Sequence, residues 1–279
     1  MGALLALASA VVYGVVDFFG GLLSRRAHYA TVTVVGQVGG LVLAVAVAAW
    51  AGADHVGGAD LLWGALSGVG SGTAMLFLNR GMSRGAVSVV VPVSAVTGVA
   101  LSVVAGVCFL GDRPGFAAWL GIVVTLAALW LVSRGDGSPA AREERPAVAD
   151  GLVASLGVAV QYVGLAQADP ASGLWAVAAG RLGAVLVLLP TAVRHASRLR
   201  ETPGRLGAAA LIGAGAAVGL MLYLDAAHRE MLAVAVVLAS FYPAIPVLLG
   251  IAVLRERLSP GRTVGLVAAA AAIALLTVA

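Results

Sequence analysis

Ten long apolar runs divide this chain, at residues 3–24, 29–51, 60–79, 86–110, 116–133, 151–168, 173–193, 206–225, 232–254 and 261–279. Each is close to the ~20 residues that a helix needs to cross a ~30 Å hydrocarbon core. They are too long and continuous for the alternating ~10-residue strands of a membrane barrel. In lipid the backbone must satisfy its own hydrogen bonds, so the pattern predicts an all-α integral membrane protein with ten transmembrane helices. Connections are short except for Ser133–Asp150 at the midpoint, which is rich in Pro, Gly and charge and reads as a linker. The expected division is a five-helix unit over 1–134, a polar linker over 135–150 and a second five-helix unit over 151–279.

Polar landmarks recur between the two units. A shift of 144 lays Asp112, Arg113 and Gly121 on Glu256, Arg257 and Gly265, and "GQVG" (36–39) on "GRLG" (180–183). A shift of 149 pairs Tyr13 with Tyr162, and one of 146 pairs Met75–Asn79 with Met221–Asp225. Five spans carry a chain from one side of the membrane to the other, so a second copy in series enters in the opposite sense. The pattern therefore predicts two inverted five-helix repeats, an arrangement used for alternating access around a site at the midplane.

Composition agrees. The mean hydropathy is +1.03 with 61% hydrophobic and 11% charged residues, against roughly 25% charged in soluble domains. The net charge of +4 comes from arginines in short loops, which argues for a lipid bilayer as partner and against nucleic acid. All seventeen basic residues are Arg, a bias that fits a GC-rich bacterial genome. Fourteen arginines fall on one predicted side and two, Arg113 and Arg229, on the other. The positive-inside rule then puts the fourteen in the cytoplasm and both termini outside, in a multi-pass protein of the cell membrane. A single cysteine, Cys108, leaves no intrachain disulfide and no Cys-based metal site. The first run carries Tyr13 and Asp17 and lacks a basic n-region, so it reads as a retained span.

The acid-Arg turns "GDRP" (111–114) and "RERLSP" (255–260) each precede a glycine-led last helix, and "FYPAIPVLLGIAVLRERLSPGRTVG" (241–265) is a proline-broken helix ending in Glu-Arg. On these residues, and on the opening "YGVVDFFGGLLSRR" (13–26), the chain resembles the drug/metabolite transporter superfamily, in its ten-helix EamA-type branch with two EamA-like repeats. The first helix has Tyr-Gly where that family more often has Trp-Gly, and Val99 stands where a proline opposite Pro243 is expected. The resemblance implies a secondary transporter. The family's substrates range over amino acids, nucleosides, sugars and drugs, so it implies a mode of action before a ligand.

The polar residues inside the runs are the candidates for chemistry. Asp17 is an ionisable group in an apolar span, a functional-site hypothesis by default; it is a candidate proton carrier, the alternative being an ion pair with Arg181, Arg25 or Arg26. Tyr13, four residues earlier, shares its helix face. Arg181 must find an anion, either a solute carboxylate or phosphate or Asp17 itself. Its repeat mate Gln37, and Gln161 beside Tyr162, offer neutral amides that serve binding or interhelical hydrogen bonding. Ser240 and Tyr242 precede Pro243 and Pro246, where a broken helix lines a site or simply bends.

Other polar residues have plainer readings. Asp112 and Glu256 read as caps for the helices that follow them, with Ser259 and Pro260 at N-cap and N1. Asn79, Asp225 and His228 read as helix-end groups close to water. Gly64, Gly68, Gly72, Gly215 and Gly219 read as packing glycines. "GVGSGT" (68–73) lacks the last glycine and the preceding strand of a dinucleotide fingerprint, so no cofactor is expected, and no metal.

These readings lead to a secondary transporter for a small-molecule solute, an amino acid or similar metabolite. Export by alternating access, with Asp17 as the proton-coupling group, is the first expectation. The alternative is a translocator of a lipid-linked head group or an accessory scaffold. An intramembrane enzyme would need a convergent cluster that the loop histidines, His28, His55, His195 and His228, do not supply. A monomer is the default, a dimer the alternative.

Overall fold

The computed structural model describes residues 2–105, 108, 115–133, 145–229, 242–256 and 260–278. They form α1 (Gly2–Ser24), α2 (Tyr29–Ala51), α3 (Gly58–Arg84), α4 (Val87–Ala105), α5 (Phe116–Ser133), α6 (Arg145–Ala166), α7 (Trp175–Arg194), α8 (Pro203–Arg229), α9 (Ala244–Ala252) and α10 (Pro260–Val278). One 3-10 turn spans Pro170–Ser172, and there is no strand among the described residues. Six of these helices, α1, α2, α3, α6, α7 and α8, are long and apolar enough to cross a membrane.

The exterior of the molecule is apolar, and a few polar groups are buried within it. Leu62 (73%), Leu211 (74%) and Phe116 (82%) lie open on the exterior, whereas Asp17, Gln37 and Arg181 are each only 4% exposed. Lipid imposes that arrangement, because apolar side chains lose nothing by facing it while polar ones must face inward.

Between lipid-compatible helices there is little hydrophobic drive to associate, so close backbone packing through small residues takes its place. Helix α3 lies against α6 and α7, and α8 against α1 and α2. A Cβ on Gly68 of α3 would fall on the Gly180 carbonyl of α7, and one on Gly213 of α8 would fall on the Gly36 carbonyl of α2. Gly183 meets Ala65 as Gly39 meets Ala210. Helices α5 and α10 pair through Ala128, Ala269 and Ala272. Helix α4 rests on α6, and α9 on α1 and α4.

Loop contacts sort the helix ends into two groups. At one end Arg25 donates to the Gly85 carbonyl (2.8 Å), Thr31 to the Arg198 carbonyl (2.7 Å), and the His28 and His195 rings lie 4.8 Å apart. At the other end His55 N–H donates to the Ala171 carbonyl (3.3 Å), and Asp169 N–H to the Asp60 carboxylate (3.0 Å).

Two helices outrun their apolar segments. Helix α3 continues to Arg84 and α6 begins at Arg145, inside the expected linker. Asp150, 3% exposed, ties the two extensions together: it accepts from Arg80 Nε (3.0 Å) and Arg84 Nη1 (3.4 Å). Hydropathy ends where charge begins, but a buried ion pair carries the helix further.

Glu256 also reaches a helix distant in sequence. Arg255 takes a left-handed φ of 53° and Glu256 N–H donates back to the Gly250 carbonyl (3.2 Å). This tight turn aims the carboxylate across to the other half. It accepts from Val87 N–H (3.1 Å), Ser88 N–H (3.0 Å) and Arg25 Nη2 (3.1 Å). Glu256 therefore caps the first turn of α4. Its counterpart turn at Asp112 and Arg113, with Arg257 and Ser259, lies outside the described residues.

Candidate functional site

Four helices bring polar side chains into the apolar interior. On α7, Gly180 and Gly183 seat the helix against α3, and Arg181 runs beside Gly40 of α2, whose missing side chain leaves room for its Cδ. Arg181 Nη1 donates to Gln37 Oε1 at 3.0 Å, a buried bond between residues 144 apart in sequence. That separation is the repeat shift itself, so equivalent positions of the two halves meet directly. A guanidinium has five N–H donors, and no carboxylate pairs with Arg181 among the described residues. The Tyr13 hydroxyl faces the same guanidinium.

Tyr13 fits because Gly219 of α8 has no side chain; a Cβ there would lie 2.7 Å from the ring. Its ring stands 6.2 Å from that of Tyr242, tilted by 54°. One turn along α1, Asp17 is buried and makes no hydrogen bond or ion pair among the described residues. The ion-pair alternatives do not form there: Arg25 is committed to Glu256 and to the Met82 and Gly85 carbonyls, and Arg181 to Gln37.

Asn79 is the residue that hydropathy misplaced. Expected at a helix end near water, it is 1% exposed, because α3 runs five residues past it to Arg84. Its Nδ2 donates to Thr33 Oγ1 at 3.0 Å, and Thr33 Oγ1 donates in turn to the Tyr29 carbonyl at 2.9 Å. Since the single Thr33 proton is used, Asn79 must offer its N–H₂ there and turn its oxygen the other way. Thr33 and Gln37 are four apart on α2, a spacing that already put them on one face. That spacing was the available signal for Thr33. Nothing in the apolar pattern pointed to Ser24, whose Oγ is buried without a partner.

The remaining expectations are scattered. Gln161 is half-buried on α6, its backbone packed on Gly70 of α3, and no described contact joins it to Arg181. Asp225 is half-buried on α8. Ser240 and the side chains of Tyr162 and His228 lie outside the description. No three His, Cys, Asp or Glu side chains gather among the described residues.

An apolar exterior around a buried Arg–Gln–Tyr cluster with an acid one turn away defines a polytopic helical membrane protein with an internal polar site. The sequence matches the profile of the EamA-like transporter family twice, over residues 1–134 and 147–278, and the chain belongs to that family. It is thus a multi-pass membrane transporter of the drug/metabolite transporter superfamily. A solved crystal structure is similar over 99% of this chain and 98% of its own, with a TM-score of 0.60 and 14% identity, a likeness of fold. Among curated proteins none matches the chain.

Proposed function

We propose that this protein is a secondary transporter that moves a small organic solute, an amino acid or similar metabolite, out of the cell by alternating access of two inverted five-helix repeats. The observation that carries the reading is the buried Arg181, positioned by Gln37 and without a carboxylate partner among the described residues. A guanidinium so placed takes a carboxylate or phosphate of the solute. Tyr13 and Tyr242 form an aromatic wall beside it; Gln161, Tyr162 and Ser240 are assigned to the lining from their sequence positions. Asp17, one turn from Tyr13, takes up and releases the coupling proton.

Helix directions support the inversion. Helix α1 ends at the arginine-rich end, where Arg25 meets Glu256, and α6 begins there, where Asp150 meets Arg80. Helix α2 begins there and α7 ends there, through His28 and His195. Helix α4 begins and α9 ends at the Glu256 contacts. With that end in the cytoplasm, both termini lie outside, and one chain is the working unit.

The test is uptake and counterflow in proteoliposomes against pooled amino acids, nucleosides and sugars, with and without an imposed pH gradient. Saturable movement of one class, accelerated by the gradient in wild type and indifferent to it in Asp17→Asn, is the expected result. Folded protein that moves no soluble solute would overturn the reading in favour of a lipid-linked head group.

A further inference from the structure

Where helix backbones touch, they do so within two groups that cut across the sequence repeats. In the first group α8, from the second repeat, packs on α1 and α2, from the first. A Cβ on Gly36 of α2 would lie 3.3 Å from the Ala209 carbonyl of α8, and Ser9 of α1 donates to the Gly219 carbonyl of α8 at 2.7 Å. A Cβ on Gly14 of α1 would lie 2.7 Å from the Tyr242 carbonyl, just ahead of α9. In the second group α3, from the first repeat, packs on α6 and α7, from the second. A Cβ on Gly70 of α3 would lie 2.6 Å from Gln161 N of α6, one on Gly72 3.0 Å from the Ala184 carbonyl of α7, and one on Gly151 of α6 3.2 Å from the Val90 carbonyl of α4. One group is thus α1, α2, α8 and α9, the other α3, α4, α6 and α7, while α5 and α10 pair with each other.

Contacts from one group to the other are of a different kind. Among the described helix glycines, those that face the other group meet side chains there: Gly20 meets Asn79, Gly21 meets Met82 and Val87, Gly40 meets Arg181, and Gly250 meets Ser88. The polar ties across this boundary also run through side chains, with Gln37 accepting from Arg181, Thr33 from Asn79, and Glu256 from two N–H groups of α4. The His55 N–H to Ala171 carbonyl bond belongs to the α2–α3 connection, which carries the chain from one group to the other. Backbone set into backbone holds one register, because carbonyls and Cα atoms cannot turn out of the way. Side chains change rotamer and exchange hydrogen-bond partners. The boundary made of side chains is therefore the one able to open and close.

We propose that the bodies which rock during transport are these two groups, α1, α2, α8 and α9 against α3, α4, α6 and α7, and not the two sequence repeats. This rests on the alternating-access reading and names its moving parts: the repeats supply the symmetry, and the groups assembled across them move. Each body draws two helices from each repeat. Arg181 stands on one body and Gln37, Tyr13 and Asp17 on the other, so a solute held between them contacts both. At the arginine-rich end Arg25 and Glu256 of the first body are tied to the Gly85 carbonyl and to α4 of the second. Opening toward that end parts these bonds, while the glycine seams inside each body stay closed.

Two cysteine pairs, each in full-length protein carrying Cys108→Ser, separate moving groups from moving repeats. Val16→Cys with Gly215→Cys joins α1 to α8, which belong to different repeats but one body; a Cβ on Gly215 would lie 2.8 Å from Val16 Cγ2. Gly21→Cys with Met82→Cys joins α1 to α3, which belong to one repeat but different bodies, across a Cβ–Cβ separation of 3.2 Å. Both are close enough for a disulfide. Initial-rate uptake of pooled amino acids, nucleosides and sugars into proteoliposomes is measured before oxidation, after oxidation with the link confirmed by mass, and after reduction. Oxidation is expected to leave the first pair within about twofold of its reduced rate and to slow the second by about tenfold or more, reversibly. Where a pair does not fold, Gly151→Cys with Val90→Cys replaces the first and Gly21→Cys with Val87→Cys the second, from contacts of 3.6 Å and 3.3 Å. A first pair silenced by oxidation, or a second pair that keeps its rate when oxidised, would overturn the two bodies and leave the transporter reading in place. Wild-type protein that moves nothing in the pool would overturn that reading and the inference with it.

Discussion

Helices α1 and α6 open the two family repeats, yet they are built for different work. On α6, Gly157 and Gly164 press backbone on backbone against α3: a Cβ on Gly157 would stand 2.7 Å from Ala74 N, and one on Gly164 2.9 Å from Ser67 N. On α1, a Cβ on Gly20 would meet only side-chain atoms, Asn79 Oδ1 at 3.3 Å and Ile212 Cγ2 at 3.7 Å. At the shift that pairs Tyr13 with Tyr162, Asp17 falls on Ala166. Glycine thus closes a backbone-on-backbone seam on α6, whereas Gly20 of α1 meets only side chains, at longer range. On the proposed function, symmetry in the scaffold lets two halves rock, and an acid present in only one of them couples the cycle.

The largest expected effect separates those two glycine roles. Gly157→Val drives a branched side chain into the backbone of α3, where overpacking costs about 1–3 kcal/mol or more. Thermal unfolding monitored by fluorescence size exclusion is expected to show a large loss of folded protein, against little change for Gly20→Ala. Equal losses in both would erase the distinction between the tight seam and the looser side-chain contact.

Next comes the central pair. Arg181→Leu removes the cation and leaves Gln37 Oε1 without its donor; transport of an anionic or zwitterionic solute is expected to fall by about 100-fold, ~2.7 kcal/mol of lost stabilisation. The measurement is initial-rate uptake at matched protein, and a neutral solute unaffected by the change would sharpen the assignment.

A smaller effect attaches to the arginine-rich rim. Glu256→Ala uncaps α4 and frees Arg25, which is expected to cost about 1–2 kcal/mol in thermal stability. Because the contact joins the halves at one end only, a cysteine placed in the α3–α4 turn should also label faster with a water-soluble maleimide. Unchanged labelling would confine Glu256 to a stabilising role.

The smallest effect is pH-dependent. Burial first, then the neighbouring His195 and Arg198, push His28 below its usual 6.5. The unfolded chain therefore binds the proton more readily, so His28 contributes full stability above about pH 6.5 and loses it as pH falls toward its folded value. His28→Asn keeps an N-cap acceptor for α2 and is expected to flatten the decline of the unfolding temperature on acidification by a degree or two, on the order of 0.5 kcal/mol or less.

Some of this was legible in the chain and some was not, for identifiable reasons. Asp17, Gln37 and Arg181 announced themselves because an ionisable or amide group inside an apolar run has few places to go. The repeat shift paired Gln37 with Arg181, and they do touch. Asn79 stands where an apolar run ends but α3 continues past it, so the end of hydropathy is not the end of burial; Glu256 reaches α4, a partner distant in sequence. Their surroundings are set by Asp150, which extends α3, and by the left-handed Arg255, which reverses the chain after α9.

The amino-acid order by itself determined the helical membrane class, the duplication and the burial of Asp17, Gln37 and Arg181, since those follow from solvent: hydrocarbon excludes unpaired backbone and unpaired charge along every segment independently. Tertiary packing alone decided which buried groups meet. Whether Asp17 meets an arginine, and which way Asn79 turns its oxygen, depends on how helices distant in sequence cross. No local pattern encodes that crossing.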